Sequence, residues 1–129
     1  PLYPDHNVQT GDSWKNSINT GGALSGHIDY NWKLDYGDKY SISLSSKGNF
    51  STDKDKLVSL GANMEGNIDL TGEIQGRYAI DPASGWPSMS VQHTEVNGKY
   101  TYKPNEKMKK GLQVPVRIVG DTQCKILHL

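Results

Sequence analysis

ALSGHIDYNWKLDYGDKYSISLSSKGNF, residues 23–50, is the stretch that decides the fold. Its apolar residues stand mostly on even numbers on both sides of the Asp-Tyr-Gly-Asp segment at 35–38, with polar residues mostly between them. Successive side chains of a β-strand point to opposite faces, so this alternation predicts strands with one face toward a core and one toward water. The segment at 35–38 has the composition of a turn. We therefore predict a hairpin of 23–34 with 39–50.

The same alternation continues from Ala62 to Ile80. Nineteen extended residues would span roughly 60 Å, whereas a compact domain of 129 residues is only about 36 Å across. Gly66, Gly72 and Gly76 interrupt the inward row, and glycines inside strands mark bends, bulges or close backbone approach. The sequence therefore predicts an all-β fold: an antiparallel, strongly curved up-and-down sheet of about six strands, as a half-barrel, open barrel or sandwich.

The flanking segments are less regular. Residues 1–22 are rich in turn-forming residues and predict an opening loop with at most a short strand. Residues 81–85, Asp-Pro-Ala-Ser-Gly, predict a turn. Beyond it the apolar positions change from odd to even numbers, which predicts a β-bulge at 94–96.

The last third of the chain also predicts strands. Residues 112–119 alternate, and Pro115 points to an edge strand because proline has no N–H to donate. Gly120 and Asp121 predict a turn into a short final strand at 122–128. Cys124 in that strand is expected to be a small buried residue.

Composition limits the partners. Fourteen Lys and Arg balance fourteen Asp and Glu, so no long-range field attracts nucleic acid. No segment is long and apolar enough to be a transmembrane helix. The length predicts a single all-β domain, 1–129, and because the chain begins at Pro1 we expect it to be one domain of a longer precursor.

The sequence offers no catalytic residue, metal ligand set or cofactor motif. The four histidines are scattered without metal-ligand spacing, and neither a nucleophile elbow nor a phosphate loop is present. If the sheet curls, its concave side forms a groove for an apolar ligand, and the candidate ligand-binding residues are Trp32, Met64, Tyr78, Trp86, Met89 and His93. The competing interpretation is that these side chains simply pack in the core.

A resemblance rests on two motifs. Tyr3-Pro4, Val8 and Gly11-Asp12-Ser13-Trp14 open the chain, and Asp81-Pro82-Ala83-Ser84-Gly85-Trp86-Pro87 comes later. This pattern resembles a family of uncharacterised secreted or lipid-anchored bacterial proteins with a Pro…Val-x-x-Gly-Asp-(Ser/Thr)-Trp segment and an Asp-x-x-(Ser/Thr)-Gly turn. The resemblance implies an all-β fold, a secreted, periplasmic or cell-envelope location and a non-enzymatic role.

Three functional hypotheses follow. The first is a binding module that holds an apolar small molecule, a glycan or a partner protein on a curved sheet. The second is a hydrolase built from loops and acting on polysaccharide, which requires a pocket rich in carboxylates. The third is a structural or assembly subunit. An unpaired edge near 112–119 would favour a protein partner that adds a strand to the sheet.

Overall fold

A computed structural model describes residues 4, 6–21 and 25–125. Within these residues the chain forms seven strands and no helix. The strands are β1 (Ser13–Thr20), β2 (Gly26–Gly37), β3 (Ile42–Thr52), β4 (Val58–Ser59), β5 (Glu65–Ile80), β6 (Pro87–Tyr102) and β7 (Leu112–Lys125). They make one antiparallel sheet in the order β1-β2-β3-β5-β6-β7, with β4 paired to β5 beyond the end of β3. The predicted all-β, antiparallel, up-and-down fold is confirmed.

The predicted hairpin is β2 with β3. Leu34 stands opposite Leu44 and Trp32 opposite Ser46, so even-numbered residues of the two strands share a face. The register shifts between Leu34 and Tyr36, where the chain enters the turn. The same parity carries through the sheet, because Leu44 is opposite Tyr78 and Tyr78 is opposite Ser90. We call the face that carries the even-numbered residues the inner face.

The inner face holds two clusters of buried apolar side chains. One lies where β2 ends and β3 begins, which we call the cavity end of the sheet; it contains Trp14, Trp32, Leu34, Leu44, Tyr78 and Ile80. The other lies toward the opposite end, which we call the far end, and is centred on Ile68, Leu70 and Val96. Leu70 is only 1% exposed. A flat single layer would leave both faces open to water, so this burial requires the sheet to curl toward its inner face.

Aromatic rings that lie on glycines fill the space inside the curl. The rings of Tyr30 and Trp32 are 5.4 Å apart, and those of Trp32 and Tyr78 are also 5.4 Å apart. A Cβ at Gly48 would lie 2.8 Å from the Tyr30 ring, and a Cβ at Gly76 would lie 2.8 Å from the Tyr78 ring. We call these three rings the aromatic row; its two tyrosine rings rest against glycine backbone, and the Trp32 ring packs against both of them.

Four expectations are corrected by the structure. The opening segment contains an eight-residue strand, β1, whose Trp14 pairs with Trp32. No bulge lies at 94–96; the β5–β6 register shifts instead between Ala79 and Ile80. The predicted turn at 120–121 is absent, because β7 pairs with β6 continuously from Leu112 to Lys125. Cys124 is exposed. Leu24 and residues 126–128 of the predicted strands lie outside the described residues.

The phase change that predicted a bulge has a different cause. At the start of β6 the inner face is polar, with Ser90 and Gln92, and the outer face carries Met89 and Val91. Met89 and Val91 are 40% and 42% exposed. From Met89 onward the strand keeps its register, and it is the polarity of the two faces that reverses.

Gly72 tests the close packing of β5 on β6. A Cβ at this position would lie 2.1 Å from the carbonyl oxygen of Glu95, so an added methyl group forces the two backbones apart. We predict that Gly72→Ala lowers the free energy of unfolding by about 1–3 kcal/mol in urea denaturation. Gly21→Ala is the matched control, since nothing lies within 4 Å of its Cβ position. Equal stability of the two variants would contradict this packing.

Candidate functional site

A cavity of about 880 Å³ opens at the cavity end of the sheet. Its walls are mainly apolar and come from β1, β2, β3, β5 and the opening segment: Pro4, Val8, Trp14, Leu34, Ile42, Leu44 and Ile80. Gln9, Thr10 and Asp38 add polar groups to the lining. Because the wall residues are inner-face residues of neighbouring strands, the curl of the sheet forms the cavity directly.

One side of the cavity is closed by residues 8–12, which we call the strap. The Gly11 N–H donates to the Leu34 carbonyl at 2.7 Å, and the Leu34 N–H donates to the Asp12 carbonyl at 2.9 Å. Gly11 has φ of 92°, a conformation that glycine adopts without strain. Val8 packs against the buried cluster at this end. The strap is thus tied to the end of β2 and places an apolar side chain over the core.

Hydrogen bonds within the strap fix its shape. The Asp12 carboxylate accepts from the Gln9 N–H at 2.9 Å, and the Asp12 N–H donates to the Gln9 carbonyl at 2.9 Å. The Thr10 hydroxyl accepts from the Gly37 N–H at 3.2 Å, which links the strap to the β2–β3 turn. The side chains of Thr10 and Asp12 therefore hold the strap in its position.

Asp38 organises the β2–β3 turn at the cavity. Its carboxylate accepts from the N–H groups of Tyr40 and Ser41, at 2.7 and 2.8 Å, and from the Tyr36 hydroxyl. These hydrogen bonds, that of Tyr36 first, lower the pKa of Asp38 below its ordinary value. The cavity lining therefore includes one carboxylate that is ionised at neutral pH and already hydrogen-bonded.

The turn between β5 and β6 also reaches the cavity, through Gly85. The Asp81 carboxylate accepts from the Ala83 N–H at 3.1 Å and from the Ser84 hydroxyl at 2.8 Å. The Asp81 N–H donates to the Trp86 carbonyl at 2.9 Å, and Gly85 has φ of 74°. The strap, the β2–β3 turn and this turn therefore meet at one end of the sheet.

The sequence-predicted binding residues do not line this cavity. Trp32 and Tyr78 belong to the buried cluster, one row further into the sheet. Trp86 is 71% exposed in the β5–β6 turn, next to Gly85. Met64 lies half-buried at the far end, just before β5. The structure brings Trp32 and Tyr78 together and leaves the others apart.

Met89 and His93 were predicted to face inward, and this is wrong. Met89 pairs with Ala79 and His93 with Gln75, all odd-numbered positions on the outer face. The prediction failed because the odd-numbered apolar residues of early β6 were taken as the buried set. Val8 and Trp14 do line the cavity, and the sequence contains a signal for them, because both belong to the Val-x-x-Gly-Asp-Ser-Trp motif.

Three buried polar atoms have no hydrogen-bond partner among the described residues: Asn16 Oδ1, Trp32 Nε1 and Ser46 Oγ. Trp32 stands opposite Ser46 and beside the cavity residues Leu34 and Trp14. Tyr78, opposite Leu44, accepts a hydrogen bond on its hydroxyl from Gln92 Nε2 at 2.7 Å. The middle of the inner face is therefore more polar than the cavity walls.

In the part of the chain that is described, His, Cys, Asp and Glu nowhere form a group of three that could hold a metal ion. Within that same part, no helix is long and apolar enough to cross a membrane.

Comparison with known proteins gives a family. A model of a family of unknown function, DUF6263, matches residues 1–87. The chain belongs to this family. The match includes the strap, strands β1 to β5 and the turn at 81–86, and it ends at the first residue of β6. Neither the curated proteins nor the solved structures contain a match to this chain.

The structure gives a physical role to each of the two motifs quoted from the sequence. In the first motif, Val8 packs on the buried cluster and Gly11 takes the positive φ of the strap. The Asp12 carboxylate accepts a hydrogen bond within the strap, and Trp14 of β1 forms part of the cavity wall. The Asp81 turn supplies the facing loop. Both of these segments therefore build the cavity end of the sheet.

His93 gives a measurable pH effect on the outer face. Its Nδ1 lies 2.7 Å from Asp121 Oδ1, directly across from it on β7, and this hydrogen bond raises the pKa of His93. A raised pKa in the folded state means that the stabilisation is present at low pH and is lost as pH rises through that pKa.

We predict that NMR titration of His93 gives a pKa above that of free histidine. Asp121→Asn should lower it, because the variant removes the negative charge, whereas Asp55→Asn, in the exposed loop before β4, should not change it. An unchanged pKa of His93 in Asp121→Asn would contradict the hydrogen bond between these two side chains.

Proposed function

We propose that this chain is a non-enzymatic binding module whose cavity holds an uncharged apolar small molecule. The observation that carries the proposal is the cavity itself, about 880 Å³ with walls from Trp14, Leu34, Leu44 and Ile80. Ligand sites are typically concave, largely apolar and about 300–1,000 Å³ in volume, with a few polar groups that orient the ligand. Both the size and the lining match this description.

The charge at the cavity disfavours an anionic ligand, and the apolar walls favour an uncharged one. Asp38 is the one carboxylate among the described residues of the lining, and no Lys, Arg or His accompanies it there. Its lowered pKa keeps it negative at neutral pH, so it repels an anionic head group. The hydroxyl of Thr10 and the amide of Gln9 remain as polar groups that can contact an uncharged ligand.

The same lining supports binding over hydrolysis of polysaccharide. Glycoside hydrolysis ordinarily uses two carboxyl groups on either side of the bond that is cleaved. Within the described lining, Asp38 has no second carboxylate beside it, and its oxygens already accept hydrogen bonds from Tyr36, Tyr40 and Ser41.

We also propose a secreted or cell-envelope location, which rests on the motif resemblance and is tested by fractionating the cells that make the full-length protein.

Fluorescence titration with N-phenyl-1-naphthylamine, an uncharged apolar probe, tests the binding proposal. We predict saturable binding by the wild-type chain and at least about tenfold weaker binding by Ile42→Trp, since the larger side chain occupies the cavity. Ser43→Trp is the matched control, because Ser43 is the exposed neighbour of Ile42 on the outer face. It should bind the probe as the wild type does.

Two outcomes would overturn the proposal: no saturable binding by the folded wild-type chain, or equal affinity in the wild type and Ile42→Trp. Native mass spectrometry of the purified protein gives an independent check, with a co-purified apolar molecule expected on the wild type and absent from Ile42→Trp.

A further inference from the structure

Strand β7 is an open edge of the sheet. It pairs with β6 along its whole length, and nothing described in the structure pairs with its other side. Five of the nine large apolar side chains exposed in the described residues lie on β6 and β7: Met89, Val91, Leu112, Ile118 and Val119. A long edge with exposed apolar residues is a ready template for another strand.

The backbone groups on this free edge can be assigned. The Lys103 N–H donates to the Glu65 carbonyl at 2.7 Å, in the register that pairs Gly66 with Tyr102. Odd-numbered residues of β6 therefore direct their N–H and C=O toward β5, and even-numbered ones direct theirs toward β7. Even residues pair with even residues across β6 and β7, so the odd residues of β7 direct their backbone groups to the free edge.

Pro115 is consistent with this assignment. It is odd-numbered, so the N–H that proline lacks would have pointed to the free edge rather than to Lys99 opposite. Pro115 therefore blocks strand addition at its own position. Residues 117–123 keep complete backbone donors and acceptors along the edge.

We propose that a second copy of this chain pairs with this edge, β7 antiparallel to β7, with Val119 opposite Val119 at the two-fold axis. In this register Arg117 stands opposite Asp121 of the second copy, and the same pair recurs on the other side of the axis. Val119, 50% exposed, packs against its own copy between the two charged pairs.

Charge selects this register from its neighbours. An axis at Arg117 would place two arginines opposite each other, and an axis at Asp121 would place two aspartates opposite each other. Axes at Ile118 or Gly120 pair neither charge with an opposite one. The axis at Val119 is the one of these five that pairs Arg117 with Asp121.

The charges that flank the edge extend the pairing. Asp121 contacts His93 at 2.7 Å, and Arg117 contacts Glu95 at 3.3 Å, both on the outer face of β6. Joining two copies would therefore give rows in which His93, Asp121, Arg117 and Glu95 alternate in sign across four strands when His93 is protonated. The cavity lies on β1, β2, β3 and β5, so the dimer leaves it open.

Val119→Pro tests the proposal on the whole chain. The N–H of residue 119 points away from β6, so the substitution removes two hydrogen bonds at the centre of the interface and none from the β6–β7 ladder. Sedimentation equilibrium, measured at protein concentrations up to about 1 mM, should detect a dimer of the wild type. The dissociation constant of Val119→Pro should be at least about tenfold higher. Val119→Thr keeps the N–H and is the matched control, expected to dimerise like the wild type.

A charge test covers the case in which Val119→Pro does not fold. Arg117→Asp and Asp121→Arg should each dimerise more weakly than the wild type, because each places like charges opposite each other twice. A mixture of the two variants should form a heterodimer, since both pairs are again of opposite sign. A monomeric wild type, chains longer than a dimer, a dimer that withstands Val119→Pro, or a mixture that does not associate would each overturn the proposal.

Discussion

A single-layer sheet has no other layer to cover its apolar face, and this constraint governs the rest of the structure. The aromatic row meets it, because Tyr30 packs against Gly48 and Tyr78 against Gly76, with Trp32 in contact with both tyrosine rings. At these two positions the ring occupies the space that a side chain on the glycine would fill, so a single layer of side chains covers the inner face. Tyr78, which lies on Gly76, is 7% exposed, and Trp32, which packs against both tyrosine rings, is 3% exposed.

The same device explains where the cavity forms. The aromatic row fills the middle of the curl, and beyond it the inner face carries shorter aliphatic side chains, Leu34, Leu44 and Ile80. These cannot fill the wider space at the end of the sheet, so the strap and two turns enclose it instead. The cavity therefore forms at the end of the sheet because the aromatic row stops before it.

Much of the fold could be predicted from alternation, because a period of two has one structural meaning when turns bound it. The β2–β3 hairpin and β5 follow from it directly. Early β6 could not be predicted in this way, since Met89 and Val91 stand on the outer face and alternation does not identify which face is buried. Glycine inside a strand predicts a bend, a bulge or a close backbone approach, whereas Gly76, like Gly48, supports an aromatic ring, and the sequence does not show which ring packs on which glycine.

The candidate site was less accessible to sequence reasoning. A concave apolar surface was predicted, but the six proposed residues were chosen for size and phase, whereas the cavity is lined by Trp14 and aliphatic residues at the end of the sheet that the strap covers. The relevant signal was the Val-x-x-Gly-Asp-Ser-Trp motif, because a glycine with positive φ and an acceptor aspartate together form a turn that returns the chain over a strand end. The sequence does not show that this turn is hydrogen-bonded to the end of β2, because that contact depends on the register of the strands.

Proton NMR tests the central claim, that aromatic rings lying on glycines close this single-layer sheet. If the rings of Tyr30 and Tyr78 lie over Gly48 and Gly76, their ring currents shift the α-protons of both glycines upfield of their unstructured values, with nuclear Overhauser contacts to the ring protons. The α-protons of Gly21, which has no neighbouring group at its Cβ position, serve as the reference. Unstructured α-proton shifts at Gly48 and Gly76, without contacts to the tyrosine rings, would contradict the account.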